Sequence, residues 1–82
     1  MTKIVYCIGA KWFDKVNGNT YCNTKIIDGE EIKYLGYEYG YGSYYYYRAV
    51  AHFDVIYGAG NYKLIDLGCH YIKKTDLKND NF

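Results

Sequence analysis

Eight of the thirteen tyrosines in this 82-residue sequence fall between positions 34 and 47: Tyr34, Tyr37, Tyr39, Tyr41, Tyr44, Tyr45, Tyr46 and Tyr47. Tyr offers rigid contact area with a hydrogen-bonding tip, and it stacks on nucleobases for about 1–3 kcal/mol per base. Eight such rings cannot all be buried in so small a domain, so an exposed aromatic surface is expected. Arg48, the one Arg in the chain, stands one helical turn before His52 and shares a helix face with Tyr44 or Tyr45. Its guanidinium fork suits a phosphate or carboxylate. The segment Gly40-Tyr41-Gly42-Ser43 opens the same helix, where free backbone N–H groups favour an anion. The candidate binding residues are therefore Tyr39, Tyr41, Gly42, Ser43, Tyr44, Tyr45, Arg48 and His52.

Other chemistries find less support. Gly36-x-x-x-Gly40-x-Gly42 matches neither the dinucleotide fingerprint nor the P-loop, which ends in Gly-Lys-Ser/Thr. Cys69 and His70 are neighbours on a strand and point to opposite faces. Cys7, Cys22, His52 and His70 show no metal-ligand spacing. No nucleophile stands beside an orienting motif, so no catalytic residues, no cofactor and no metal are expected. The three cysteines lack the even count and close spacing of a disulfide framework, and the chain opens directly into a strand-like run. Reduced thiols in a cytosol are the expectation. A net charge of +1 provides little attraction for phosphate backbones, and no run of 18 apolar residues could span a membrane.

These residues need elements to position them. Residues 3–13 alternate, with Ile4, Tyr6, Ile8, Ala10 and Trp12 on a strongly apolar face and Val5, Cys7, Gly9, Lys11 and Phe13 on a mixed one. A turn at 14–19 leads to a second strand over 20–27. Pairing Trp12 with Cys22 keeps apolar residues together and leaves Val16-Asn17-Gly18 as a three-residue loop. Asp28-Gly29 turns into a third strand over 31–39. Ser43 suits a helix N-cap, the spacing of Tyr46, Ala49, Val50, Phe53, Ile56 and Tyr57 predicts a helix over 44–57, and Gly58 stops it. Residues 62–74 read as a last strand, with Ile65, Leu67, Cys69 and Tyr71 on one face and a bulge or break at Gly68. The polar tail over 73–82 is expected to fray. The order β-β-β-α-β predicts an α+β fold in a single small domain, 1–82: a four-stranded, mainly antiparallel sheet with one helix packed on one face. The other face must then meet water or a partner, and a homodimer is one way for so short a chain to cover it.

Three stretches carry a resemblance. Lys11-Trp-Phe-Asp-Lys-Val-Asn-Gly-Asn-Thr-Tyr21, Gly36-Tyr-Glu-Tyr-Gly-Tyr-Gly42 and Lys73-Lys-Thr-Asp-Leu77 resemble segments of short bacteriophage and prophage proteins. In that group a His often follows the Thr-Tyr pair, where this chain has Cys22. The resemblance covers about a third of the chain and carries no catalytic residues. It implies a small cytosolic anti-defence or host-takeover factor. The expected function is non-enzymatic binding by occupancy through the Tyr-rich surface, with a nucleotide-derived ligand as first choice. A host defence protein such as a CRISPR effector is the alternative, and single-stranded nucleic acid ranks third.

Overall fold

The computed structural model describes residues 2–82. Strands β1 (Lys3–Asp14), β2 (Asn19–Asp28), β3 (Glu31–Tyr34) and β4 (Glu38–Tyr39) precede helix α1 (Tyr44–Tyr57), strand β5 (Tyr62–Tyr71) and a short helix α2 (Lys74–Lys78). The architecture is α+β, with a mixed, mostly antiparallel sheet in the order β3-β2-β1-β5 and the two-residue β4 also on β2. The β5 strand returns parallel to β1, with α1 as the crossover. None of the helices is long and apolar enough to cross a membrane.

The first hairpin differs from the expected register by one residue. Trp12 lies opposite Tyr21 and Ala10 opposite Asn23, and the loop has four residues, 15–18. The Asp14 side chain decides this. Its Oδ1 accepts the Val16 amide at 3.0 Å and the Asn17 amide at 3.3 Å, and its Oδ2 accepts the Asn17 side chain at 2.8 Å. The Asp14 carbonyl accepts the amide of Gly18, whose φ is +68°. Local Asx bonding of this kind outweighs the side-chain pairing expected from pattern alone.

That slip moves Cys22, Thr24 and Ile26 from the Trp12 face to the Cys7 face. There they join Val5 and Cys7 in a bed of mostly small side chains on which α1 lies, through Tyr45, Ala49 and Phe53. A Cβ on Gly9 would stand 2.5 Å from the Tyr45 ring, so the ring occupies the space a side chain would take. Thr24 Oγ1 donates to the Tyr45 carbonyl at 2.9 Å. The bulge in β5 exchanges side-chain directions along that strand. Ile65 pairs with Tyr6 on one face, and after the register shift Cys69 pairs with Gly9 on the other. Gly68, at φ +103°, absorbs the turn. Ile65 and Cys69 therefore do not share a face as the alternation predicted.

The tail is a second correction. Instead of fraying, α2 packs on the face opposite α1, with Leu77 fully buried. The buried Asn23 donates to the Leu77 carbonyl at 2.9 Å and to Asp80 Oδ1 at 2.7 Å. The Phe82 carbonyl accepts the Tyr34 hydroxyl at 2.6 Å and Lys25 Nζ at 3.0 Å. Lys74 Nζ stands 5.0 Å above the Trp12 ring. Two apolar residues in ten, Leu77 and Phe82, give no periodic signal, and polar side chains from the sheet tie the segment down.

Removing the Leu77 side chain should therefore cost about 2–5 kcal/mol. Urea unfolding of Leu77→Ala checks this, and a frayed tail would leave the midpoint unchanged. A second expectation concerns pH. Burial, followed by its bond to Asp54, pushes the Tyr62 phenol up to about 12, against roughly 10 in an unfolded chain. The unfolded chain releases this proton first, so the contribution is complete below about pH 10 and is lost as pH rises towards 12. Tyr62→Phe should flatten that alkaline decline in a denaturation series across the window.

Candidate functional site

The eight clustered tyrosines separate once the third strand breaks. Residues 31–39 were expected to run as one strand, but Leu35, Gly36 and Tyr37 leave the ladder between β3 and β4. Gly36 adopts φ +103°, and its amide donates to Asn23 Oδ1 at 3.0 Å. Arg48 fixes the break from the helix side. Its Nη1 donates to the Gly36 carbonyl at 2.6 Å and its Nη2 to the Leu35 carbonyl at 2.8 Å. Nη2 also pairs with Glu38 Oε2 at 3.2 Å. The chain then rejoins β2 with Tyr39 opposite Tyr21, and Gly40 donates to the Thr20 carbonyl at 3.0 Å.

Beyond that clamp, Tyr39, Tyr41, Tyr44 and Tyr47 gather around the backbone of Gly40, Gly42 and Ser43 to form an open cleft of about 520 Å³. Two glycines make the geometry available. A Cβ on Gly40 would lie 2.2 Å from the Tyr44 ring, and Gly42 has φ +61°. The Tyr44 hydroxyl donates to Glu38 Oε1 at 2.8 Å, which orients the ring and raises its pKa. Tyr47 stands edge-on to Tyr46 at 5.7 Å. Tyr41 and Tyr47 are 70% and 64% exposed. Ser43 occupies the N-cap position of α1 without a side-chain cap bond, so its hydroxyl is not committed to the helix. Neither Lys nor Arg lines the cleft.

Of the sequence-derived candidates, Tyr39, Tyr41, Gly42, Ser43 and Tyr44 converge here, while Tyr45, Arg48 and His52 do not. Tyr45 is a core residue. Its ring lies against Gly9 and its hydroxyl donates to Asp66 Oδ2 at 2.7 Å. Arg48 is spent on two carbonyls and Glu38, with its side chain only 13% exposed. In this structure the guanidinium that was expected to meet a phosphate serves instead as a clamp on the chain's own backbone. His52 borders a separate small concavity of about 170 Å³ with Asp28, Glu31 and Lys33. Burial holds its pKa below the ordinary value, Lys33 adds to that, and Glu31 and Asp28 oppose it. Gly40 and Tyr47 were missed, although Tyr47 follows Tyr44 by three residues and so shares its face. Of the remaining clustered rings, Tyr34 packs against Phe82 and Tyr37 stacks on Tyr21 at 5.1 Å. Cys7 and Cys22 are buried under α1, and burial pushes the Cys7 thiol up to about 12.

No known protein family, curated protein or solved structure matches this chain.

Arg48→Ala should cost roughly 1–3 kcal/mol in chemical denaturation, because the Leu35 and Gly36 carbonyls lose their donors. Arg48→Lys should recover only part of the loss, since an ammonium cannot bridge two carbonyls with a planar fork. Full recovery would mean that charge alone holds the break.

Proposed function

We propose that the protein is a non-enzymatic binding module that acts by occupancy, and that its ligand surface is the four-tyrosine cleft. The observation that carries this reading is the convergence of Tyr39, Tyr41, Tyr44 and Tyr47 on one uncharged concavity of about 520 Å³. That volume suits a small-molecule or side-chain ligand. Rigid aromatic walls favour a flat ring, and a nucleobase is the first choice. With Arg48 committed internally, the cleft grips the base and not the phosphate. The resemblance of the hairpin and the Tyr-Gly-Tyr-Gly element to short phage proteins supports a host-takeover or anti-defence setting.

A protein partner is the second reading, favoured by the openness of the surface and the exposure of Tyr41 and Tyr47. Tyr is enriched at such anchors. Single-stranded nucleic acid is less favoured, because a cleft without cationic lining gives no electrostatic funnel.

Thermal-shift titration with a panel of nucleosides and nucleotides checks the first reading. A nucleoside and its phosphates should bind with similar affinity and little salt dependence. Tyr47→Ala and Tyr41→Ala should each weaken binding by about 1–3 kcal/mol with no loss of stability. Absence of any shift, with a host protein co-purifying through the same tyrosines, replaces this reading with the protein interface. A triphosphate binding far more tightly than its nucleoside would show that the cleft does read phosphate.

A further inference from the structure

The hairpin end of the sheet carries a row of aromatic rings that runs into the tyrosine cleft. Trp12 on β1 and Tyr21 on β2 are cross-strand neighbours and stack at 5.9 Å. Tyr37, released from the ladder by the break after β3, stacks on Tyr21 at 5.1 Å. Tyr39 meets Tyr21 edge-on at 5.8 Å and is also a wall of the cleft. Trp12 and Tyr21 lie on the face that α2 crosses. Two lysines of α2, four residues apart and so on one side of it, reach the row. Lys74 Nζ stands 5.0 Å over the Trp12 ring and Lys78 Nζ 5.1 Å over the Tyr37 ring. The cleft and the two ammonium groups are joined through one run of contacting rings.

From this arrangement we infer that Lys74 and Lys78 are a phosphate-binding extension of the cleft, and that the ligand is a short single-stranded oligonucleotide with a terminal base among the tyrosines. The inference rests on the nucleobase reading of the cleft and adds the charge that the cleft lacks. An aromatic ring neutralises no charge, and an ammonium group over its face keeps N–H donors for another partner. Among the described residues the ion pairs are Lys3–Asp28 and Arg48–Glu38, so neither α2 lysine is paired with an acid. The carboxylates of the same segment are engaged elsewhere: Asp76 accepts the Asn81 side chain and Asp80 accepts that of Asn23. Asp14 is close enough to feel Lys74. Its oxygens bond within their own turn, but its charge offsets part of that lysine's, so Lys78 is the stronger phosphate contact.

Geometry selects a strand over a single nucleotide. The phosphate nearest a base seated in the cleft meets no cation there, whereas a longer strand carries later phosphates out to α2. By way of Tyr21 and Tyr37, Lys78 Nζ lies within about 16 Å of the Tyr39 ring, a span of at most roughly five nucleotides at the 3.4 Å phosphate spacing of a stacked strand. Lys74 and Lys78 are separated by about 6 Å along the helix axis, so they meet different phosphates. Stacking belongs to the cleft, and the ring row holds the two cations in place beside it. A long strand would need a cationic track beyond these two residues, so the fit is to a short oligonucleotide.

Calorimetric titration of the full chain with a nucleoside and with DNA oligonucleotides of increasing length, at several salt concentrations, tests this. Strands of about five residues should bind roughly three- to tenfold tighter than the nucleoside at low salt. Their log affinity should fall against log salt with a slope of about −1.4, the value for two phosphates of a single strand. Lys74→Gln combined with Lys78→Gln should abolish both the gain and the slope, while nucleoside affinity and thermal midpoint stay unchanged. Lys63→Gln, on the far edge strand β5, should alter neither. Nucleoside binding with no gain for oligonucleotides overturns the inference and leaves the cleft reading standing. A gain that survives the double lysine exchange, or oligonucleotide binding undiminished by Tyr47→Ala, puts the strand elsewhere and also overturns it. Failure of nucleoside and oligonucleotide alike overturns the cleft reading together with this one.

Discussion

The guanidinium of Arg48 connects the two halves of the fold. It reaches from α1 to the carbonyls of Leu35 and Gly36 and to the carboxylate of Glu38. The contact fixes the break that precedes the tyrosine cleft, and pairing of Tyr39 and Gly40 with β2 sets the cleft's near wall. The break between β3 and β4 leaves two carbonyls without ladder partners, and unpaired buried carbonyls are costly. Arg48 satisfies both with one planar group. Glu38 is held by the same cation and in turn accepts the Tyr44 hydroxyl. The chain thus enters Gly40 at a fixed height on β2, and Tyr39 and Tyr44 both line the cleft. A residue whose chemistry suits ligand binding serves here to build the site in which a ligand would sit.

A second constraint is how closely a helix can approach a sheet. The bed under α1 holds Gly9, Cys7, Cys22 and Thr24, together with Val5 and Ile26. Small side chains let the Tyr45 ring come down onto the Gly9 backbone. The opposite face carries the larger isoleucines and Tyr6, which would hold a helix further away. Apolarity alone would have put α1 on the Ile4 face. Volume and the Asp14-directed register put it on the other, and the richer apolar surface is covered at one end by α2 and the chain to Phe82.

Much of this was legible in the residues, and the gaps have physical causes. The limits of α1 follow from Ser43, the three-and-four spacing and Gly58, whose positive φ ends the helix. The antiparallel order of the first three strands follows from turn chemistry at Gly18 and Gly29. The one-residue register error came from weighing side-chain pairing above the bonding of one Asp to its own loop. The parallel return of β5 was not readable, because nothing in a strand's alternation reports its direction. The tail was misread because its anchors are Asn23, Lys25 and Tyr34, residues far away in sequence. For the site, the glycine break and its flanking tyrosines gave the address. Arg48 and His52 lie away from the tyrosine cleft because helical spacing fixes a face but not what that face meets.

The tyrosine excess has two separate explanations, which the hydroxyls distinguish. Tyr34, Tyr45, Tyr57 and Tyr62 each donate to an oxygen of the chain: the Phe82 carbonyl, Asp66, Asp28 and Asp54. In each case the ring fills space while the tip bonds to a second element, so one residue supplies both apolar area and a directional tie. A chain of this length has few aliphatic residues to bury, and such tethers add definition that packing alone would not provide. Tyr39, Tyr41 and Tyr47 have no such partner among the described residues, and all three are more than half exposed. Packing gives no reason for a large ring to stand in water with its hydroxyl uncommitted. Three of them beside Tyr44 in one cleft, around Gly40 and Gly42, leave an open aromatic surface that packing within the chain does not explain.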